Sequence, residues 1–163
     1  MSNAVALVLL PPPNISTIID TLRSANDKSY SRGWASHVTI LFPFTPVDDL
    51  SYLVDVLKSA FSAANFKPFR VKLDKVSRFA TRDYETIYLG LSETDQLQAL
   101  WNISVKAMKH PKDGHAYTPH MTLGQTARNP DSIAFLTDKG NKILALVCGS
   151  PFMFSSFTFV YIA

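Results

Sequence analysis

The sequence predicts one domain that mixes helices and strands in two similar lobes facing each other across a cleft. Three observations carry that reading. A chain of 163 residues with 47% apolar and 18% charged residues has the length and composition to fold around a real core. Segments with strand character and segments with helical periodicity are interspersed from end to end. A four-residue pattern (His, apolar, Thr, apolar) occurs at His37-Val38-Thr39-Ile40 and again at His120-Met121-Thr122-Leu123. Each copy is followed by a helix and then a strand. The order of elements, not residue identity, suggests that the two halves repeat. Such a repeat would set the two motif strands near a common pseudo-twofold axis.

Residues 4–10 form a continuous apolar run, as in a strand covered on both faces, and Pro11, Pro12 and Pro13 stop it. A helix is expected over 14–22, with Asn14 as N-cap and Ile15, Ile18, Ile19 and Leu22 at helical spacing. Residues 24–33 are polar and read as a loop. Arg23, Lys28 and Arg32, in or beside it, are either solvated or a rim that attracts phosphate. The first motif strand covers 37–44, closed by Pro43 and Pro46. Asp48 or Asp49 then opens a helix to about residue 64, whose stripe is Leu50, Leu53, Val54, Leu57, Ala60 and Phe61. Residues 69–79 alternate as a strand and are expected to pair with 86–91 across a turn at 80–85. A helix over 93–109 places Leu97, Leu100, Trp101, Val105 and Met108 on one side, with Trp101 in the core. Residues 110–118 are loop, and the second motif strand covers 120–126. Asn129, Pro130 and Asp131 cap a helix that runs to about Val147, with Gly140 as a point where it could split. Gly149, Ser150 and Pro151 break the chain before a long aromatic strand over 152–162.

Composition excludes some classes of function and leaves others open. The single cysteine, Cys148, rules out an internal disulfide and reads as a small buried residue. The net charge of +3 mildly favours anionic partners. The early apolar run is too short to span a bilayer and lacks a basic leader, so neither a membrane anchor nor a secretory signal is expected. A monomer of the cytoplasm, or of the nucleus, fits these traits.

The motif residues carry the chemistry. Side chains two apart on a strand share a face, so each copy sends an imidazole and a hydroxyl to the same side. Were the strands adjacent, His37, Thr39, His120 and Thr122 would converge. Histidine takes or gives a proton near neutral pH, and threonine hydroxyls can donate to phosphoryl oxygens. Two histidines without a nearby Asp, Glu or Cys make a poor zinc site, so neither metal nor cofactor is expected. A 2′,3′-cyclic phosphate suits this set, since its ring opens without a large leaving group. Tyr117 and Trp34 are candidates to stack on a nucleobase, with packing at the cleft edge as the alternative. Arg78 and Arg128 are candidates to steer the phosphate. His110 and His115 read as solvated loop residues.

The text around both motifs resembles the 2H phosphoesterase superfamily, also called the LigT-like or 2′-5′ RNA ligase family. Residues 36–44, Ser-His-Val-Thr-Ile-Leu-Phe-Pro-Phe, resemble its first motif with the following Phe-Pro. Residues 117–124, Tyr-Thr-Pro-His-Met-Thr-Leu-Gly, resemble the second, including the proline before the histidine. The opening strand that ends in prolines also fits, so the resemblance covers nearly the whole chain. It implies an α+β fold of two pseudo-symmetric lobes, each an antiparallel sheet with outer helices, and a cleft lined by the four motif residues. It also implies a metal-independent phosphodiesterase acting on nucleoside 2′,3′-cyclic phosphates or related cyclic and 2′-5′ linked esters, with His120 as base and His37 as acid. The partner is then a small nucleotide or an RNA end. Some RNA-processing members carry a basic residue soon after the second motif; this chain has Gln125, with Arg128 nearest. The alternative reading is a module that binds a nucleotide or RNA end without turnover.

Overall fold

The computed structural model describes residues 4–44, 50–92, 94–109, 116–147, 152–154 and 158–162. The expectations for His110, His115 and Cys148, and for the break at 149–151, lie outside them. In chain order the elements are β1 (Ala4–Leu9), α1 (Pro13–Asn26), β2 (Val38–Phe44), α2 (Leu50–Ala63), β3 (Phe69–Val71), β4 (Leu73–Ala80), β5 (Tyr84–Leu91), α3 (Thr94–Ala107), β6 (His120–Ala127), α4 (Pro130–Val147), β7 (Phe152–Phe154) and β8 (Thr158–Ile162), with a 3-10 turn at Tyr30–Arg32.

Six strands form one sheet in the order β4-β5-β6-β2-β1-β8, and every neighbouring pair in it is antiparallel. The sheet is two three-stranded halves, each with a motif strand on its inner edge. They meet at one bridge, Val38 opposite Met121. This is the α+β, two-lobed arrangement the motifs imply. The helices cross between lobes: α1 leaves β1 but packs on β6 and α4, while α3 packs on β2 and α2. Val38 and Met121 are both fully buried in the core that these helices cover.

Several boundaries differ from the sequence reading, each for a nameable reason. Helix α1 begins at Pro13, whose missing N–H costs nothing in a first turn, and it continues to Asn26. Ile15, Ile19 and Arg23 are its buried stripe, and the charge at the last position disguised the final turn as loop. The expected strand over 69–79 is two strands. β4 pairs with β5 as expected, but β3 pairs with β7 in a separate two-stranded sheet. At the break, the Lys72 amide donates to Ser92 Oγ (2.9 Å) and the Ser92 amide to the Lys72 carbonyl (2.9 Å). The expected terminal strand is likewise divided between the two sheets, as β7 and β8.

Helix α4 does not split at Gly140. A Cβ there would lie 2.7 Å from Leu123 Cδ1 and 2.9 Å from Val76 Cγ2, so the glycine lets the helix sit close on β4 and β6. Asn129 caps the helix as expected, its Oδ1 accepting from the Asp131 amide (2.9 Å) and the Ser132 amide (3.2 Å).

Candidate active site

The single bridge between the halves organises the site. Val38 and Met121 face the core, so strand alternation turns His37, Thr39, His120 and Thr122 to the other face. Carried one residue each way, the antiparallel register sets His37 across from Thr122 and Thr39 across from His120. All four are half-buried, and neither threonine hydroxyl has a partner among the described residues.

Each motif strand carries one extra residue directly after its threonine. The β1–β2 register steps between Val8–Thr39 and Leu7–Leu41, and the β5–β6 register steps between Tyr88–Thr122 and Ile87–Gly124. These bulges let two successive residues face the core. Ile40 and Leu41 are buried after the first threonine, and Leu123 and Gly124 after the second. The halves therefore share a local backbone irregularity as well as a motif.

Both imidazoles are held in the same way. His37 Nδ1 lies 2.6 Å from the Ala35 carbonyl, and His120 Nδ1 lies 2.8 Å from the Thr118 carbonyl. A carbonyl only accepts, so Nδ1 carries the proton in each ring. Nε2 is left as the base when the ring is neutral and as the acid when it is charged. Burial lowers the pKa of both histidines, and the carbonyl contacts oppose it. For His37, Arg23 and His120 lower it further and Asp27 raises it. The charge of His120 thus bears on His37.

Aromatic rings flank both imidazoles, one at His37 and two at His120. Trp34 lies 5.0 Å from the His37 ring and meets Phe42 edge-on at 5.9 Å. Phe79 meets His120 edge-on at 4.9 Å and stacks on Tyr88, itself 5.1 Å from His120. Of these only Trp34 was singled out from the sequence. Phe42 was legible in principle: the adjacent Ile40 and Leu41 break the alternation, which signals a bulge and returns Phe42 to the face of Thr39. Phe79 and Tyr88 come from strands whose register no local pattern reveals.

Tyr117 is a strut between lobes. Its hydroxyl donates to the Thr39 carbonyl (3.0 Å), and its ring stacks on Trp101 at 5.5 Å and an interplanar angle of 6°. Burial pushes its phenol far above the ordinary range, so it stays a donor. Trp101 therefore already covers one ring face, which fits packing at the cleft edge. The two arginines are not brought to the motif residues. Arg78 follows the parity opposite to Phe79, so it projects from the other face of the sheet, where it pairs with Glu85 (3.1 Å). Arg128 follows the far end of β6 from His120, and its guanidinium donates to the Thr81 carbonyl. Arg23 is neither solvated nor a phosphate rim, being 1% exposed. Among the described residues no three His, Cys, Asp or Glu side chains group as a metal site, and no helix is long and apolar enough to cross a membrane.

A family model described as the 2'-5' RNA ligase superfamily matches residues 11–145. The chain belongs to this superfamily. Over 120 residues, 73% of this chain and 69% of the relative, it is 29% identical to a Staphylococcus aureus (strain Newman) protein named "Putative phosphoesterase". Its fold is similar to that of E. coli LigT complexed with 3'-AMP, with a TM-score of 0.63 at 15% identity, covering 98% of this chain and 87% of that one. It is also similar to Kluyveromyces marxianus Usb1, with a TM-score of 0.50 at 13% identity, covering 98% and 96%. Two further structures of similar fold are E. coli LigT complexed with ATP, with a TM-score of 0.58 at 16% identity, and Usb1 with uridine monophosphate, with a TM-score of 0.51 at 10% identity.

Proposed function

We propose that this protein is a phosphodiesterase that opens nucleoside 2′,3′-cyclic phosphates, or related cyclic and 2′-5′ linked phosphodiesters, by two-histidine acid–base catalysis. The observation that carries the proposal is the pair of imidazoles on one sheet face beside the Val38–Met121 bridge, each with Nδ1 committed to a carbonyl. That arrangement leaves two Nε2 atoms for proton transfer on either side of one phosphorus. Binding alone would not require two imidazoles.

In the proposed reaction, His120 Nε2 takes a proton from water as its oxygen attacks phosphorus. The P–O bond to one ribose oxygen breaks, and that oxygen takes the proton from His37 Nε2. Water is consumed, and a phosphate monoester with a free hydroxyl results. Thr39 and Thr122 donate to the non-bridging oxygens as charge builds. The acid form of His37 is disfavoured by burial in the free protein. An anionic phosphodiester beside it supplies the opposite charge that favours protonation, so substrate recruits its own acid. The proposed substrate is a small nucleotide or an RNA end, in keeping with the nucleotides bound by LigT and Usb1.

The test is incubation with 2′,3′-cyclic AMP in the presence and absence of EDTA. Turnover that survives the chelator and is lost in both His37→Ala and His120→Ala is expected. Full activity in either variant would refute the assigned roles. Binding of the nucleotide without product would favour the module that binds without turnover.

A further inference from the structure

Helix α1 places a cationic side chain in the core. Ile15, Ile19 and Arg23 recur every four residues on its inner face, and Arg23 is as buried as the isoleucines. A buried guanidinium persists only when its donors and charge are met. Here Nε and Nη2 donate to Asp27 Oδ2 at 2.9 and 2.8 Å, Nη1 donates to Asp20 Oδ1 at 3.4 Å, and the Tyr30 ring lies 5.9 Å from Cζ.

Both carboxylates also accept from the chain that leads to the first motif. Asp20 Oδ1 accepts from the Ser36 amide at 2.8 Å. Asp27 Oδ1 accepts from the Ser29 amide at 2.8 Å, and the Ser29 carbonyl accepts from the Trp34 amide at 3.2 Å. The ends of this path are the Ala35 carbonyl that holds His37 Nδ1 and the Trp34 ring that lies against the imidazole. Ser36 Oγ is buried with no partner among the described residues, so it is the backbone bond to Asp20 that fixes this residue. Among the described residues nothing equivalent stands behind His120, whose contacts there are with Phe79, Tyr88 and the Thr118 carbonyl.

We infer that Asp20 and Arg23 are positioning residues for His37: Arg23 orients Asp20, and Asp20 pins the Ser36 amide so that the Ala35 carbonyl locks the imidazole with Nε2 toward the phosphate. The same Nδ1–carbonyl contact thus has a charged buried cluster behind it at His37 and, among the described residues, strand pairing and aromatic contacts at His120. The kinetic consequence rests on the proposed phosphodiesterase activity; the structural one does not.

The experiment compares the parent protein with Asp20→Ala and Asp20→Asn, which spare the buried Arg23–Asp27 pair. Imidazole nitrogen shifts of His37 and His120 are read by NMR, alongside kcat and KM on 2′,3′-cyclic AMP. In Asp20→Ala the two His37 nitrogens should move toward a common shift as the Nδ1–H tautomer loses its hold, while those of His120 stay. kcat should fall roughly ten- to a hundredfold with KM little changed, the range for misplacing a reacting group by a fraction of an ångström to one ångström. Asn keeps an oxygen for the Ser36 amide and should restore both readouts. His37 shifts unchanged in Asp20→Ala, equal movement of both histidines, or no recovery in Asp20→Asn would each overturn the inference. A wild-type protein without turnover would sink the proposed activity, and the nitrogen shifts would still decide this point.

Discussion

Replacing Gly140 by alanine sets two opposed effects against each other. Alanine in a helix interior is favoured over glycine by about 1 kcal/mol. The new methyl would lie 2.7 Å from Leu123 Cδ1 and 2.9 Å from Val76 Cγ2, where carbon atoms prefer about 3.5–4.0 Å. Neither neighbour yields easily. Leu123 is fully buried, and the β-branched Val76 has little rotamer freedom. Overpacking of this kind costs about 1–3 kcal/mol, so the strain wins, and a net loss of roughly 1 kcal/mol is expected after the helix gain. The strain falls on the bulge directly after Thr122, so kcat should also fall. Urea denaturation of Gly140→Ala measures the first effect. Combining it with Val76→Ala should recover part of the loss, a coupling expected of residues in contact. A single variant more stable than the parent, or additive behaviour in the pair, would refute the claim that α4 approaches the sheet too closely for a side chain.

Other consequences follow from the site. Both histidines have lowered pKa values in the folded protein, so between those values and the unfolded value near 6.5 the unfolded chain binds more protons. Stability should therefore fall as pH drops below about 6.5 and be fully restored above it; His37→Gln and His120→Gln should each flatten the dependence of the melting temperature on pH. Tyr117→Phe removes the bond to the Thr39 carbonyl and should cost about 1 kcal/mol in urea denaturation, with kcat reduced more than KM is raised. Arg78 is 59% exposed in its pair with Glu85, and its replacement by Ala should change stability by less than about 1 kcal/mol and leave kcat/KM as it was. A large drop in kcat/KM would return Arg78 to the list of phosphate-steering residues.

The parts of the fold that were readable from the sequence are those with a local cause. The helix of residues 50–63 and the helix of residues 94–107 follow from apolar periodicity, and the Asn129 cap from a side chain beside its own helix terminus. The hairpin of β4 and β5 was found because its two strands are neighbours in the chain. The strand over 69–79 was misjudged because its first three residues pair with 152–154, a partner far along the chain. Arg23 was misjudged because a charge at a core position reads as surface until its two carboxylates are seen folded around it.

The repeated His-apolar-Thr-apolar text, by itself, determined which side chains could carry proton transfer and that each pair would share a strand face, since alternation is a property of the extended backbone alone. Only the folded molecule decided that the two faces are one: a single backbone pairing between Val38 and Met121 joins the halves there. It also decided which aromatic rings stand beside each imidazole and which buried ion pair stands behind His37. Those relations arise from pairing and packing between residues distant in the chain, and such contacts leave no periodic trace in the sequence.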